Sequence, residues 1–176
     1  MKRHLLMGCG NDHTKRVGLT EDDFEWDGEL IKVDMNDQCG ADIVLDLEDR
    51  PLPFPDEHFD SLSAFDVLEH LGRQGDWKGY FEEFAEWWRL LKPGGLFYIM
   101  VPVGADAFAD PGHTRFFSYN HFNMLSKSWY AEQLAKGIRV TDYRWFWKRN
   151  FRVRALQSVS DPKVGDHHLV AVLEKV

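Results

Sequence analysis

Four places in the 176-residue chain combine residue types and spacing that could do chemistry. Gly8-Cys9-Gly10 closes the apolar run "HLLM", Asp34 closes "LIKVD", Asp46 and Leu47 close "ADIVLDL", and Phe65-Asp66 closes "FDSLSAF". In an open parallel sheet, ligands bind outside the carboxyl ends of the strands, where the strand order reverses. Glycines at the first such end let a ligand approach the backbone without a side chain in the way. An aspartate at the second end can accept hydrogen bonds from a ribose diol. Asp46 and the backbone of Leu47, at the third, can meet an adenine edge. The four ends together outline a nucleoside site. A dinucleotide fits less well, because "GCGNDH" lacks the third glycine of G-x-G-x-x-G. No long helix follows that would hold a pyrophosphate on its N-terminus.

The elements that must position these residues follow from periodicity. "RHLLMG", "LIKVDM", "ADIVLDL", "FDSLSAF" and "LFYIMVPV" are short apolar runs that predict five strands. Their apolar character on both faces predicts a buried, mainly parallel sheet. "DWKGYFEEFAEWWRLL" places Trp77, Tyr80, Phe81, Phe84, Trp88 and Leu91 on one helical face, with Asp76 as cap and "KPGG" as stop. "GADAFADPGHTRFFSYN" is a long aperiodic connection, a kind of loop that is often functional. "HFNMLSKSWYAEQLAKG" predicts a second helix, with Asn120 as cap and Gly137 as stop. The basic run "IRVTDYRWFW…FRVRALQSV" and the closing "HHLVAVLEKV" predict an antiparallel hairpin joined by "SDPKVGD". Only about twenty residues separate Gly10 from the second strand, enough for a crossover built from a short helix and loop. The expected fold is a three-layer α/β domain spanning residues 1–176, with reduced helices after strands one and three.

Composition narrows the function classes. The net charge of −8 disfavours non-specific nucleic-acid binding, which rests on phosphate neutralisation. Base is concentrated late, in Arg139, Arg144, Lys148, Arg149, Arg152 and Arg154, which hints at an anionic partner there, although charge blunting an edge strand accounts for it as well. Trp145, Phe146 and Trp147 among those arginines resemble a base-stacking surface or, more simply, hairpin packing. No apolar run approaches the ~20 residues that cross a bilayer. Cys9 and Cys39 form no metal-type pair, no set of His, Cys and carboxylates has metal-ligand spacing, and a cytoplasmic setting is expected.

"LLMGCGN", "VDMND", "ADIVLDLEDRPLPFPDEHFDSLSAFDVLEHL" and "EWWRLLKPGGLFYIMVP" resemble the class I S-adenosylmethionine-dependent methyltransferases, of the small methyltransferase-11-like type. The likeness runs from about Leu5 to Pro102, and more loosely through "DPGHTRFFSYNHF". It implies a seven-stranded Rossmann-like sheet and S-adenosylmethionine as cofactor. Gly8, Cys9 and Gly10 would pass beneath the methionine part, Asp34 would take the ribose hydroxyls, and Met35 would pack on the adenine. Asp46 and Leu47 would meet the adenine edge, and Phe65 would flank the sulfonium with Asp66 close by. Two departures, a curtailed first crossover and no helix before the first strand, predict a site that is open or is completed by a partner chain.

Methyl transfer is an in-line displacement that depends chiefly on alignment. A general base is needed where the acceptor must lose a proton, and the candidates are His113, His70 and Asp66. Arg115, Phe117 and Tyr119 are candidate acceptor contacts. The expected acceptor is a small molecule or a sugar-containing metabolite, with a second copy of the chain as a candidate partner. The rival readings are a degenerate S-adenosylmethionine-binding module that serves as an interaction partner, and a nucleic-acid methyltransferase. The latter is weakened by the acidity and by "AFDV" where an N-P-P-Y-type tetrad would stand.

Overall fold

The computed structural model describes residues 1–160 and 167–176. Seven strands form one sheet: β1 (Lys2–Met7), β2 (Gly28–Asp34), β3 (Ile43–Val44), β4 (Phe59–Phe65), β5 (Leu91–Pro102), β6 (Phe151–Ser160) and β7 (His167–Lys175). Their order is β3-β2-β1-β4-β5-β7-β6. The pairs among β1 to β5 are parallel, and β7 runs antiparallel to both β5 and β6. The chain leaves β1 in one direction through β2 and β3, then returns to lay β4 on its other side. The order therefore reverses between β1 and β4, and the crevice that this opens lies beyond Met7 and Phe65.

Strand alternation divides the core into two. Leu5, Met7, Leu62, Ala64, Phe97, Ile99, Leu169 and Ala171 face one side, into a large cluster completed by α1 (Trp77–Leu90) and by Phe122 and Leu125. Tyr80, Phe81, Phe84, Trp87 and Leu90 are the apolar side chains that α1 buries there, each contributing about 1.5–3 kcal/mol. Trp87 is the fully buried tryptophan of that helix, while Trp88, expected on the stripe, is half-buried under the Lys175 ammonium. Asp76 caps α1 as expected, accepting from the Gly79 N–H at 3.0 Å.

The opposite face carries Leu6, Phe65, Tyr98, Val170 and Val172 in a smaller cluster, covered by Cys9, Val17, Trp26 and Cys39. The layer on that side is reduced, as the short crossover predicts, to loop and one 3₁₀ turn at Glu21–Phe24. Asp23 pins this crossover: its carboxylate accepts from Lys15 Nζ, from Tyr98 Oη at 2.8 Å and from Leu19 N–H at 3.0 Å. Burial alone would raise the Asp23 carboxyl, but these donors outweigh it and hold the group below the ordinary carboxylate range. A depressed folded-state value adds stability above pH ~4 that is lost as pH falls through it. Asp23→Asn is therefore expected to flatten the fall in urea-unfolding midpoint between about pH 5 and 3. An unchanged slope would exclude this role.

Several expectations are corrected. The third strand shortens to Ile43–Val44, because the chain turns at Asp46, whose carboxylate accepts the Glu48 N–H. The second helix splits into α2 (Tyr119–Asn123) and α3 (Lys127–Ala135). The break frees the buried Leu125 carbonyl to accept from Trp147 Nε1 at 2.9 Å and from Phe151 N–H at 3.1 Å. Ser118, rather than Asn120, caps α2 through a reciprocal pair with His121. Residues 138–150 form no strand, since Trp147 enters the core and Tyr143 and Phe146 pack on Trp77 and Phe81. Packing thus takes up Phe146 and Trp147 of the expected stacking surface, while Trp145 stays 63% exposed. The "SDPKVGD" joint, from residue 161 onward, lies outside the described residues.

Candidate active site

Gly8 and Gly10 both adopt left-handed backbone angles, φ 57° and 49°. Any side chain at Gly8 would collide with Val67, which follows β4, so the first strand end and the fourth meet with no room for a Cβ. The turn is tied to β2 by the Cys9 N–H on the Val33 carbonyl at 3.1 Å. Asp34 takes the Gly10 N–H on one carboxylate oxygen and the Asn36 N–H on the other, each at 2.9 Å. A carboxylate offers about four acceptor positions, so two stay open toward a diol.

A cavity of about 200 Å³ opens beside this turn. Five of the residues expected to hold a cofactor line it: Gly8, Asp34, Met35, Asp46 and Leu47. Leu45, Val67 and Leu71 complete its apolar wall, and Asp66 and His70 close its far end. Met35 is 74% exposed at the lip, an apolar platform that the core does not use. Three expected cofactor residues stand elsewhere. Gly10 acts through its bond to Asp34. The Cys9 side chain is buried against Cys39, with sulfurs 3.8 Å apart, and burial and that neighbour push its thiol up to about 12. Phe65 is buried on the far face of the sheet, beneath the Arg16 guanidinium.

The end of the cavity beyond β4 is built from two segments far apart in sequence. Asp66 leaves β4 with φ 58°, an uncommon angle for a residue with a Cβ. Its carboxylate meets Arg16 Nη2 at 2.8 Å and His168 Nε2 at 3.1 Å. One 3₁₀ turn later, His70 packs edge-on against His113 from the loop after β5, ring centroids 4.7 Å apart. Of the three candidate bases, Asp66 and His70 line the cleft, while the half-buried His113 only packs against His70. Beside them lies Glu69, which the candidate list lacked, only 2% exposed and with neither carboxylate oxygen hydrogen-bonded. Burial pushes its carboxyl up to about 8, with nearby Asp66 adding to the rise. A charged residue inside the apolar run "VLEHL" is the signal that could have found it.

Two of the three expected acceptor contacts, Arg115 and Phe117, are corrected. Arg115 is 3% exposed, with Nη2 donating to Glu83 at 2.8 Å and to the Leu68 carbonyl at 3.0 Å. Phe117 is buried, stacked on Phe122 with planes 6° apart. Both therefore fix the loop after β5 from below and offer nothing to the cleft. Tyr119 is exposed at the start of α2.

The family model described as a methyltransferase domain, methyltransferase-11, matches residues 7–99, more than half of the chain. The chain belongs to this methyltransferase family. Among curated proteins nothing matches the methyltransferase. Solved structures share its fold. An S-adenosylmethionine-dependent methyltransferase from Archaeoglobus fulgidus is 15% identical, with 99% of this chain and 86% of that one covered and a TM-score of 0.59. The 1,6-didemethyltoxoflavin N1-methyltransferase of Burkholderia thailandensis, solved with its substrate and S-adenosylhomocysteine, is 19% identical over 99% and 71% of the chains at a TM-score of 0.55. A methyltransferase in complex with the Haloferax volcanii Trm112 activator is 15% identical over 97% and 82%, at 0.58.

The methyltransferase takes S-adenosylmethionine as its cofactor, and the cleft fits that group. The Gly8 turn leaves a floor free of side chains, Asp34 has acceptor positions that a ribose diol could fill, and Met35 presents an exposed apolar face. Losing a charged acceptor costs about 1.5–3 kcal/mol per hydrogen bond. Asp34→Ala is therefore expected to weaken S-adenosylhomocysteine binding by about 10- to 100-fold in calorimetry. Unaltered affinity would remove Asp34 from the site.

Proposed function

We propose that the enzyme methylates a small-molecule or sugar-containing acceptor that enters over Asp66, His70 and His113. The observation that carries this reading is the charge around the cleft. Its rim presents Asp34, Asp46 and Asp66, and the nearby cation Arg16 is held in the Asp66 ion pair. Such a rim repels a polyanion. Among the late basic residues, Arg144 pairs with Asp142, and Arg152 and Arg154 share Glu174.

S-adenosylmethionine supplies a methyl carbon activated by positively charged sulfur. What this chain adds is alignment, worth up to ~7–11 kcal/mol in favourable systems. Gly8 shapes the floor, Gly10 steadies Asp34 through its N–H, Asp34 and Met35 hold the nucleoside end, and Asp46 with Leu47 borders the base. At the acceptor end, His113 donates Nδ1–H to the Ala107 carbonyl at 2.9 Å, which leaves Nε2 with a lone pair directed toward the Glu69 side. That lone pair, those of His70 and the Asp66 carboxylate are the groups that can orient an acceptor or take its proton. Residues 1–176 act as one domain in this reading, supported by the single sheet that runs through them. The two buried free cysteines agree with a reducing compartment. A second chain is a natural partner for so open a site, and one similar structure is a complex with an activator.

Incubation with methyl-labelled S-adenosylmethionine and a panel of small hydroxyl- and amine-bearing metabolites, sugars included, tests the reading. Label is expected in at least one of them and not in RNA, DNA or protein. Transfer confined to nucleic acid would overturn it.

A further inference from the structure

Glu69 has no role in the account above, yet its position is costly. A carboxylate taken out of water without a partner costs several kcal/mol. The fold nonetheless holds it in place: the Glu69 carbonyl accepts the Thr114 N–H at 2.9 Å and the Arg115 N–H at 3.1 Å. These two bonds tie the turn after β4 to the loop after β5, and they bring His113 beside Glu69. His113 Nε2 stands 3.9 Å from Glu69 Oε1, too far for a hydrogen bond. One ligand atom each from Glu69, His70 and His113 lies within 4.8 Å of the other two.

The rings are already oriented. His113 Nδ1 lies 2.9 Å from the Ala107 carbonyl and His70 Nδ1 lies 3.2 Å from the Gly112 carbonyl. A carbonyl only accepts, so both Nδ1 atoms carry a proton, and in the neutral rings both Nε2 atoms keep a lone pair. Ring N–H to backbone carbonyl is the outer contact that metal-ligating histidines use to fix tautomer and direction. Gly112 packs close to the His70 ring, and a Cβ there would come within 3.1 Å of Nδ1. Donors around a cation sit about 2.0–2.2 Å from it. A modest inward shift of the exposed His70 ring would therefore close the set.

We propose that Glu69, His70 and His113 bind one divalent transition-metal cation at the acceptor end of the cleft. Two imidazole nitrogens and one carboxylate suit manganese, iron, cobalt or zinc better than magnesium or calcium. Three protein ligands leave positions open, and His70 places them at the cavity. Cation binding is independent of the acceptor reading; assigning the open positions to an acceptor's oxygen or nitrogen rests on it. Coordination would also use the lone pairs of His70 and His113 that a proton would otherwise occupy, so neither would then serve as base.

Chelator-treated enzyme titrated with Mn²⁺, Co²⁺ and Zn²⁺ is expected to bind one ion per chain in calorimetry, with a rise in thermal midpoint. Loss of an outer-shell partner costs metal sites about 10- to 100-fold in affinity. Glu69→Gln and His70→Ala remove ligands outright and should weaken binding by at least about 100-fold. Glu69→Gln keeps the side chain's shape, and His70 is exposed, so both should still unfold cooperatively. The Co²⁺ spectrum should lack a thiolate charge-transfer band, because the other clustered set, Cys9, Asp34 and Cys39, would produce one. Absence of binding, undiminished binding in Glu69→Gln, or a thiolate band would each overturn the proposal. None depends on finding the acceptor, so the acceptor reading stands or falls separately.

Discussion

Arg115→Met is expected to destabilise the protein by about 3–5 kcal/mol, the cost of leaving a buried charge unpaired. The charge left behind is Glu83 on α1, 0% exposed, whose Oε1 accepts from Arg115 at 2.8 Å. Its other neighbouring cation, Arg50, is 3.5 Å away and outside hydrogen-bond geometry. The same guanidinium donates to the Leu68 carbonyl, one residue before Glu69. Its loss therefore loosens both the helix contact and the turn that carries Glu69 and His70. Urea unfolding of Arg115→Met, Glu83→Met and the double variant measures this. The double variant should lose much less than the sum, because no lone charge remains buried. Additive losses would mean that the two residues act independently. Labelled-methyl transfer should fall in Arg115→Met even at temperatures where the protein stays folded, since His113 is two residues from the lost anchor.

Gly8→Ala is expected to weaken S-adenosylhomocysteine binding by about 1000-fold or more, through two separate penalties. A non-glycine residue held at φ 57° costs about 1–3 kcal/mol. The added Cβ would also stand 2.9 Å from Val67 Cγ1, and nearer still to Cγ2, in the wall of the cofactor cavity. Overpacking of that kind costs about 1–3 kcal/mol, or moves the backbone. Here the backbone that would move is the cavity floor. A second substitution, Val67→Ala, removes the collision but not the backbone strain, so it should recover part of the lost affinity. Calorimetry on the single and double variants separates the two penalties. Full rescue would assign everything to the collision, and wild-type affinity in Gly8→Ala alone would remove the turn from the cofactor site.

Much of the cavity beside the Gly8 turn was legible in the chain because local rules govern it. An apolar run ends in a turn at Gly8, and Asp34 ends the next run. Strand periodicity then brings both to the same edge of a parallel sheet. Gly8, Asp34, Met35, Asp46 and Leu47 consequently line one cavity, as their order implied. The capped helix at Trp77–Leu90 and the antiparallel β7 are legible for the same reason. Cys9 and Phe65 were placed at the right strand ends but face the opposite side of the sheet, because a side chain's face is set by pleat and packing.

The acceptor half is different, because residues 103–118 contain only one short 3₁₀ turn before α2 and no repeating pattern. The sequence by itself determined a nucleoside cleft of the methyltransferase kind, since glycines, acids and apolar runs each act within a few residues of their own position. Only the tertiary structure decided that Arg115 is a buried anchor and that Glu69 faces His113. Those outcomes depend on hydrogen bonds joining residues more than forty positions apart, and on the desolvation they impose. Neither is encoded in spacing along the chain.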